Sequence, residues 1–325
     1  MSVVDCPENA ALAFACDRDY WTNLIPDFNI TDHPIQNAAS RYQVDVPDMG
    51  APVRQVIKEG YTQLPSVIPR VETTRLAECV KKICDLSLPP VFAFVYDEFW
   101  QMFANLSGAL NPIIGSGYRM KPADIWIWYV DREKAGWAPH RDMINSRTLH
   151  PDGRPANLTV WIPLTDVSPL NGCMYVLPTN RDRHLPRWLI RTSVKLKDLQ
   201  NVRALPAKAG SVLCWNSRIL HWGSRSSEWA DQPRISVAVY LQSSDYEKFG
   251  LNGDFASNET LLLNAETELT FENRLDAIRG AIRMYGSRIV KEYPKVADSL
   301  LAFANVNQPP VSRFSWTYLR SLLSL

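Results

Sequence analysis

The sequence predicts a mainly β fold, an antiparallel double-sheet barrel or jelly roll with helices at both ends. Three observations predict it. Short runs rich in Val, Ile and Trp, separated by turn residues, fill the stretch from Asp124 to about Tyr240, the pattern of many short strands. Apolar residues at helical spacing bracket that stretch on both sides. Finally, chemistry-bearing residues far apart in the chain, His140, Asp142, His221 and Arg234, can share one interior only if the sheet curls round on itself.

Bulk properties narrow the class. A chain of 325 residues can bury an ample core in one large domain or two modest ones. The formal net charge is +1 and no polybasic face stands out, which excludes nucleic acid and acidic membranes as natural partners. No window approaches 18 uninterrupted apolar residues, so no membrane span is expected. The stretch Met1–Glu8 has no basic region followed by an apolar run, unlike a secretory signal. A soluble cytoplasmic protein is expected. The six cysteines are scattered without a C-x-x-C pair, which suits buried reduced thiols rather than a disulfide framework or zinc knuckle.

Taken in order, residues 1–50 are rich in Asn, Asp and Pro without a sustained period, and read as an irregular arm over the main body. Leu76, Val80, Ile83 and Cys84 give a helix over Thr73–Leu86. Pro89-Pro90 breaks the chain, Val91–Leu106 reads as an aromatic helix, and Asn111–Arg119 as a loop. The predicted strands are Ile125–Val130, Ala138–Met143, Leu158–Pro163, Cys173–Leu177, Ser211–Trp215 and Ile235–Leu241. Trp126, Trp128 and Val130 share one face of the first strand; Ile125, Ile127 and Tyr129 share the other, and either face could look inward. Beyond them, Leu275, Ile278, Ile282, Met284 and Ile289 predict a helix over Phe271–Tyr293, stopped by Pro294. Lys295–Ala304 and Trp316–Leu325 follow as shorter helices, placed outside the barrel or at a subunit contact.

The candidate site starts from Trp137-Ala138-Pro139-His140-Arg141-Asp142. Side chains two apart on a strand leave the same face, roughly 6–7 Å from each other. His140 and Asp142 therefore make two corners of a metal site, and His221 the third. Two histidines and a carboxylate on one side of a metal, with open positions opposite, are associated with non-haem Fe(II) oxygenases. Arg234 and Ser236 share a face of the last strand, where an Arg fork and a hydroxyl suit a carboxylate. Singly, each residue has an ordinary reading: a core histidine, a surface acid, a turn histidine, a salt-bridged arginine. Their ordered combination carries the chemistry.

That order, with Asn171-Gly172-Cys173, Gly210-Ser211-Val212 and the upstream run Glu59–Pro65, resembles the phytanoyl-CoA dioxygenase family of Fe(II)/2-oxoglutarate oxygenases over about residues 55–245. The resemblance implies a double-stranded β-helix (cupin-like jelly roll) over one catalytic domain, residues 51–325, with a helical extension from about 265. It implies His140, Asp142 and His221 as iron ligands, and Arg234 with Ser236 as the 2-oxoglutarate clamp. Fe(II), 2-oxoglutarate and O2 are the implied cofactors, with no catalytic residue beyond the metal ligands. Iron halogenases that resemble the family have a small residue at the position of Asp142, so the Asp here points to hydroxylation, desaturation or cyclisation. The expected substrate is a small metabolite, as in natural-product biosynthesis. Trp126, Trp128, Thr159 and Trp161 are candidate pocket residues, with core packing as the ordinary alternative.

The chain departs from the family after Pro178, where Thr179–His184 replaces the usual Gly-Ser-His run. Arg181, Arg183, Arg187 and Arg191 there read as a solvated loop. Ile144–Asn157, following the first ligands, is a candidate lid. Two rival classes are a non-catalytic jelly-roll binding protein and a metal-dependent hydrolase using the same triad. The intact ligand set opposes the first and the Arg-x-Ser pair opposes the second.

Overall fold

The computed structural model describes residues 12–36, 42, 48–142, 148–183, 194–245 and 260–305. Two antiparallel sheets carry the fold. Strands β1 (Tyr61–Ser66), β2 (Arg119–Val130), β3 (Asn157–Pro163), β4 (Met174–Leu177), β5 (Arg203–Leu205), β6 (Ser211–Asn216), β7 (Leu220–Gly223), β8 (Arg234–Gln242) and β9 (Leu261–Leu262) fall in two groups. The larger sheet has the order β1-β6-β3-β8-β2-β9 and the smaller β5-β4-β7. The jelly-roll arrangement of the expectation is present, but hydrogen bonds do not close the sheets into a barrel.

Strand periodicity sorts the larger sheet into two faces. Ile125 and Ile127 of β2, Leu158, Val160 and Ile162 of β3, Val212 and Cys214 of β6, and Ile235, Val237, Val239 and Leu241 of β8 belong to one buried apolar cluster with the helices. The alternate residues turn toward the smaller sheet, where Trp161, Leu213 and Trp215 pack with Met174, Val176 and Leu205. Trp128 is thereby on the inner side and Ile127 on the helix side, which settles the register question.

The helices are α1 (Arg18–Leu24), α2 (Gly50–Glu59), α3 (Arg70–Asp85), α4 (Asp97–Ala104), α5 (Ser107–Ile114), α6 (Phe271–Met284), α7 (Gly286–Glu292) and α8 (Ala297–Ala304). The N-terminal arm is not irregular where it is described. It holds α1, whose fully buried Trp21 stacks 5.5 Å from Phe92 and donates to the Ala15 carbonyl. The single helix expected over Val91–Leu106 is instead a 3-10 turn, Pro90–Val95, then an extended Tyr96, then α4. Burial on all sides of Val91–Tyr96 overrides the helical pattern. Residues from Asn111 stay helical in α5 despite Pro112, because Leu110, Ile113 and Ile114 are buried.

Two further departures bear on the site. Among the described residues of the predicted strand Ala138–Met143, up to Asp142, no ladder strand forms; an isolated bridge joins His140 to His221. Phe271–Tyr293 is not one helix but breaks at Tyr285, ahead of Gly286. Helix α6 packs on the larger sheet through Leu275, Ile278 and Ile282, and its buried Arg274 pairs with Asp97 at 2.7 Å. The predicted helix Trp316–Leu325, residues 144–147 of the candidate lid, and Arg187 and Arg191 lie outside the described residues. Cys79, Cys84, Cys173 and Cys214 are free thiols, and all but Cys84 are buried as expected. No helix among the described residues is long and apolar enough to cross a membrane.

Candidate metal centre

Backbone pairing brings two of the predicted ligands together. The His140 amide donates to the His221 carbonyl and the His221 amide returns the bond, each at 3.0 Å. Residues so paired stand directly opposite each other, and their imidazoles lie 4.2 Å apart between centroids. Glycine permits the approach: a Cβ at Gly136 would collide with the Gly223 and Ser224 carbonyls. Between the two ligands of the first segment, Arg141 points away and is buried. Its guanidinium pairs with Asp182 at 2.5 Å and donates to the Arg218 carbonyl in the turn before β7. One cation thus ties both ligand-bearing segments together.

The donor atoms converge. His140, Asp142 and His221 each offer one ligand atom, and these lie within 4.8 Å of one another. Nε2 of His140 and of His221 stand 3.5 and 3.4 Å from Oδ1 of Asp142. The other ring nitrogens face backbone carbonyls, His140 Nδ1 to Ala138 at 2.9 Å and His221 Nδ1 to Ile219 at 3.2 Å. A carbonyl only accepts, so each Nδ1 carries a proton, which leaves Nε2 of each ring as the atom turned toward the carboxylate. Burial pushes His221 down to about 4, opposed by Asp142, so this ring is neutral at neutral pH.

Asp142 is oriented in turn. Its Oδ2 accepts from the Thr159 hydroxyl at 2.6 Å and from Trp215 Nε1 at 3.3 Å, leaving Oδ1 toward the histidines. Burial opposes its ionisation, but in the acid range where a carboxyl titrates, positive charge on His221, a hydrogen bond from His140 and the Thr159 hydroxyl outweigh that and hold its carboxyl below the usual range. Three lone-pair donors facing one point repel one another unless a cation stands between them. Metal ligands with bonds of about 2.1 Å lie roughly 3 Å or more apart, and the spacing here is of that kind. The donor set fits a divalent transition metal.

Arg234 completes the site from β8. It is 1 % exposed, and its pKa is pushed down to about 10 by burial and by Arg288. The guanidinium donates to the Gly172 carbonyl, which gives the Asn171-Gly172-Cys173 motif a physical role. No carboxylate among the described residues pairs with it, and its Nε lacks a partner. Ser236 Oγ, fully buried two residues on, is likewise unsatisfied. Gly223 leaves room for the guanidinium, where a Cβ would meet it. An unpaired buried cation beside an unsatisfied hydroxyl is costly, and both call for an anion.

The metal donors and Arg234 line one cavity of about 70 Å3 with Trp128, Trp137, Thr159, Trp161, Met174, Trp215 and Tyr285. Roomier surface clefts beside Asp166 and Lys208, and beside His150 and Ser243, bring together no such donors. Of the four pocket residues read from sequence, Trp128, Thr159 and Trp161 line the cavity. Trp126 lies behind it, 4.4 Å from Tyr285 and 6.1 Å from Trp128. The Thr159 hydroxyl is taken up by the Asp142 carboxylate. Trp137 packs 5.6 Å from His140 and Trp215 4.8 Å from His221. Sequence reasoning missed Trp137, Trp215, Tyr285 and Arg288. Adjacency to the His-x-Asp segment could have found Trp137; the uninterrupted helical pattern concealed Tyr285.

The fold and this constellation give a two-sheet protein whose two-histidine, one-carboxylate donor set is of the kind associated with non-haem iron oxygenases. Residues 103–229 match the family model of phytanoyl-CoA dioxygenase (PhyH), a span that contains all three convergent donors. Over that span the chain resembles the phytanoyl-CoA dioxygenase family. No curated protein matches it in sequence. Among solved structures, the non-haem monooxygenase ThoJ in its nickel complex is 12% identical with a TM-score of 0.51, over 75% of this chain and all of that one, and shares the fold. The α-ketoglutarate-dependent carbocyclase SnoK of nogalamycin biosynthesis is 20% identical (TM-score 0.46; 60% and 83% covered). HygX from Streptomyces hygroscopicus, with nickel and 2-oxoglutarate, is 13% identical (TM-score 0.47; 60% and 87% covered).

Proposed function

We propose that this protein is an Fe(II)/2-oxoglutarate-dependent dioxygenase that oxidises a C–H bond of a small metabolite in specialised metabolism, with residues 51–325 as one catalytic domain in the cytoplasm. The observation that carries this reading is Arg234, a buried guanidinium without an acidic partner, facing the same cavity as three convergent lone-pair donors. A hydrolase using that triad has no need of such a cation. A binding protein has no need of the triad.

The roles follow from the contacts. His140 and His221 would hold iron through Nε2, and Asp142 through Oδ1. Thr159 and Trp215 fix the carboxylate, while the Ala138 and Ile219 carbonyls fix the ring tautomers. Arg234 and Ser236 would take the far carboxylate of 2-oxoglutarate. Trp128, Trp161 and Met174 exclude water from the space between. Iron, 2-oxoglutarate and O2 together supply the oxidising power, with 2-oxoglutarate leaving as succinate and CO2.

Anaerobic addition of 2-oxoglutarate to the Fe(II)-loaded protein should produce a visible charge-transfer absorption. Arg234→Met should raise the concentration needed by about 100-fold or more, the loss of a charge-assisted pair. The same substitution should leave the apoprotein as stable or up to about 4 kcal/mol more so, because it removes an unpaired buried charge. No absorption change in the iron-loaded wild type would reject the assignment.

A further inference from the structure

One carboxylate beside the site has no part in holding the metal or in answering Arg234. Strand β2 slips register against β8 between Met120 and Ile125. Such slips re-aim a side chain and recur next to active sites. Asp124 stands at this one. Its carboxylate accepts one long bond, 3.4 Å, from the Tyr285 hydroxyl, and Tyr285 lines the metal cavity. Among the described residues no Lys, Arg or His pairs with Asp124. The positive charge that acts on it, Lys121, rests its ammonium over the Tyr240 ring at 5.2 Å.

The surroundings are aromatic. Trp126 lies 4.4 Å from Tyr285, and Trp128 stands edge-on to both. Asp142 is close enough for its charge to act on Asp124. A half-buried carboxylate with one weak donor, bonded to a tyrosine of an aromatic cluster, has the chemistry that receives a cation.

We infer that Asp124, held by Tyr285, is the specificity-determining contact for a substrate that carries a protonated amine. This rests on the oxygenase reading, because the substrate concerned is that of the same reaction. An ammonium supplies the charge and the donors that Asp124 lacks, and its carbon neighbours rest against Trp128 and Tyr285. A neutral alcohol supplies a donor without charge. A carboxylate is repelled by Asp124.

The test uses the full chain with Fe(II) and saturating 2-oxoglutarate under anaerobic conditions, following tryptophan fluorescence. Butylamine, butanol and butyrate are the probes, at about pH 7.5, above the value of about 6 to which burial and the Asp142 charge push Asp124. Butylamine should bind about ten-fold or more tighter than butanol, and butyrate weakest. Asp124→Asn should bring amine and alcohol within about two-fold of each other. Tyr285→Phe should weaken the amine preference without lowering Tm, and decides the matter if Asp124→Asn does not fold. Equal binding of amine and alcohol overturns the inference, as does an amine preference that survives both substitutions. So does a fall in Tm with Asp124→Asn while the preference persists, which would make Asp124 the structural counter-charge of Lys121. Succinate formation by the wild type without any probe separates this result from the reaction class. Succinate without amine preference discards the inference alone; amine preference without succinate discards the oxygenase reading and leaves Asp124 an amine-binding contact rather than a determinant of substrate choice.

Discussion

The two faces of the larger sheet use the same strands for opposite purposes. On the helix side Ile127, Val160, Val237 and Val239 are fully buried among other apolar groups. On the inner side the alternate residues include Arg234, Ser236 and Thr159, with one unpaired guanidinium and one unsatisfied hydroxyl in the same enclosed space. Interior positions ordinarily have their polar groups satisfied. The contrast teaches that stability is concentrated on one face and chemistry on the other, separated by a single residue step along β2, β3 and β8.

Substitutions on the two faces should therefore fail in different ways. Ile127→Ala should cost about 2–5 kcal/mol in chemical denaturation, the usual range for emptying a packed position, while the folded fraction keeps wild-type metal affinity. Thr159→Val, on the inner face, should behave inversely. It removes a 2.6 Å bond to Asp142, and metal affinity by titration should drop by about 10–100-fold with little change in Tm. Equal effects of both substitutions on metal affinity would erase the distinction.

The smallest effect concerns Asp124. Burial and the Asp142 charge raise its pKa to about 6, against the partial opposition of Lys121. A carboxyl whose folded pKa is raised stabilises the fold relative to its ionised form at low pH, and that contribution is lost as pH rises from the unfolded value, 3.8, through the folded one. Asp124→Asn should raise apoprotein Tm by a few degrees near pH 8, and the gain should vanish by about pH 4. A pH-independent Tm difference would show that ionisation of Asp124 is not what the fold opposes.

Much of the candidate ligand set was legible because a metal site demands residue types in a fixed order. His140, Asp142 and His221 do converge, and Arg234 stands in the same cavity. The expected strand under His140 and Asp142 was not needed: Pro139 lacks an amide donor, and one reciprocal pair of bonds to His221 positions the segment. Thr159 was read as pocket lining because its face was visible in the sequence while its partner, distant in the chain, was not. The contribution of α6 and α7 was hidden for a different reason. An apolar stripe reports that a helix packs, not where it breaks, and the break at Tyr285 is what brings Tyr285 and Arg288 to Trp128 and Trp137.

The most direct test of the central claim is succinate formation from 2-oxoglutarate with Fe(II) and O2, for wild type, Asp142→Ala and Arg234→Ala at matched metal loading. Succinate from the wild type, with both variants reduced to the protein-free rate, is the predicted result. Equal signals from all three proteins, or none from metal-loaded wild type, would contradict it.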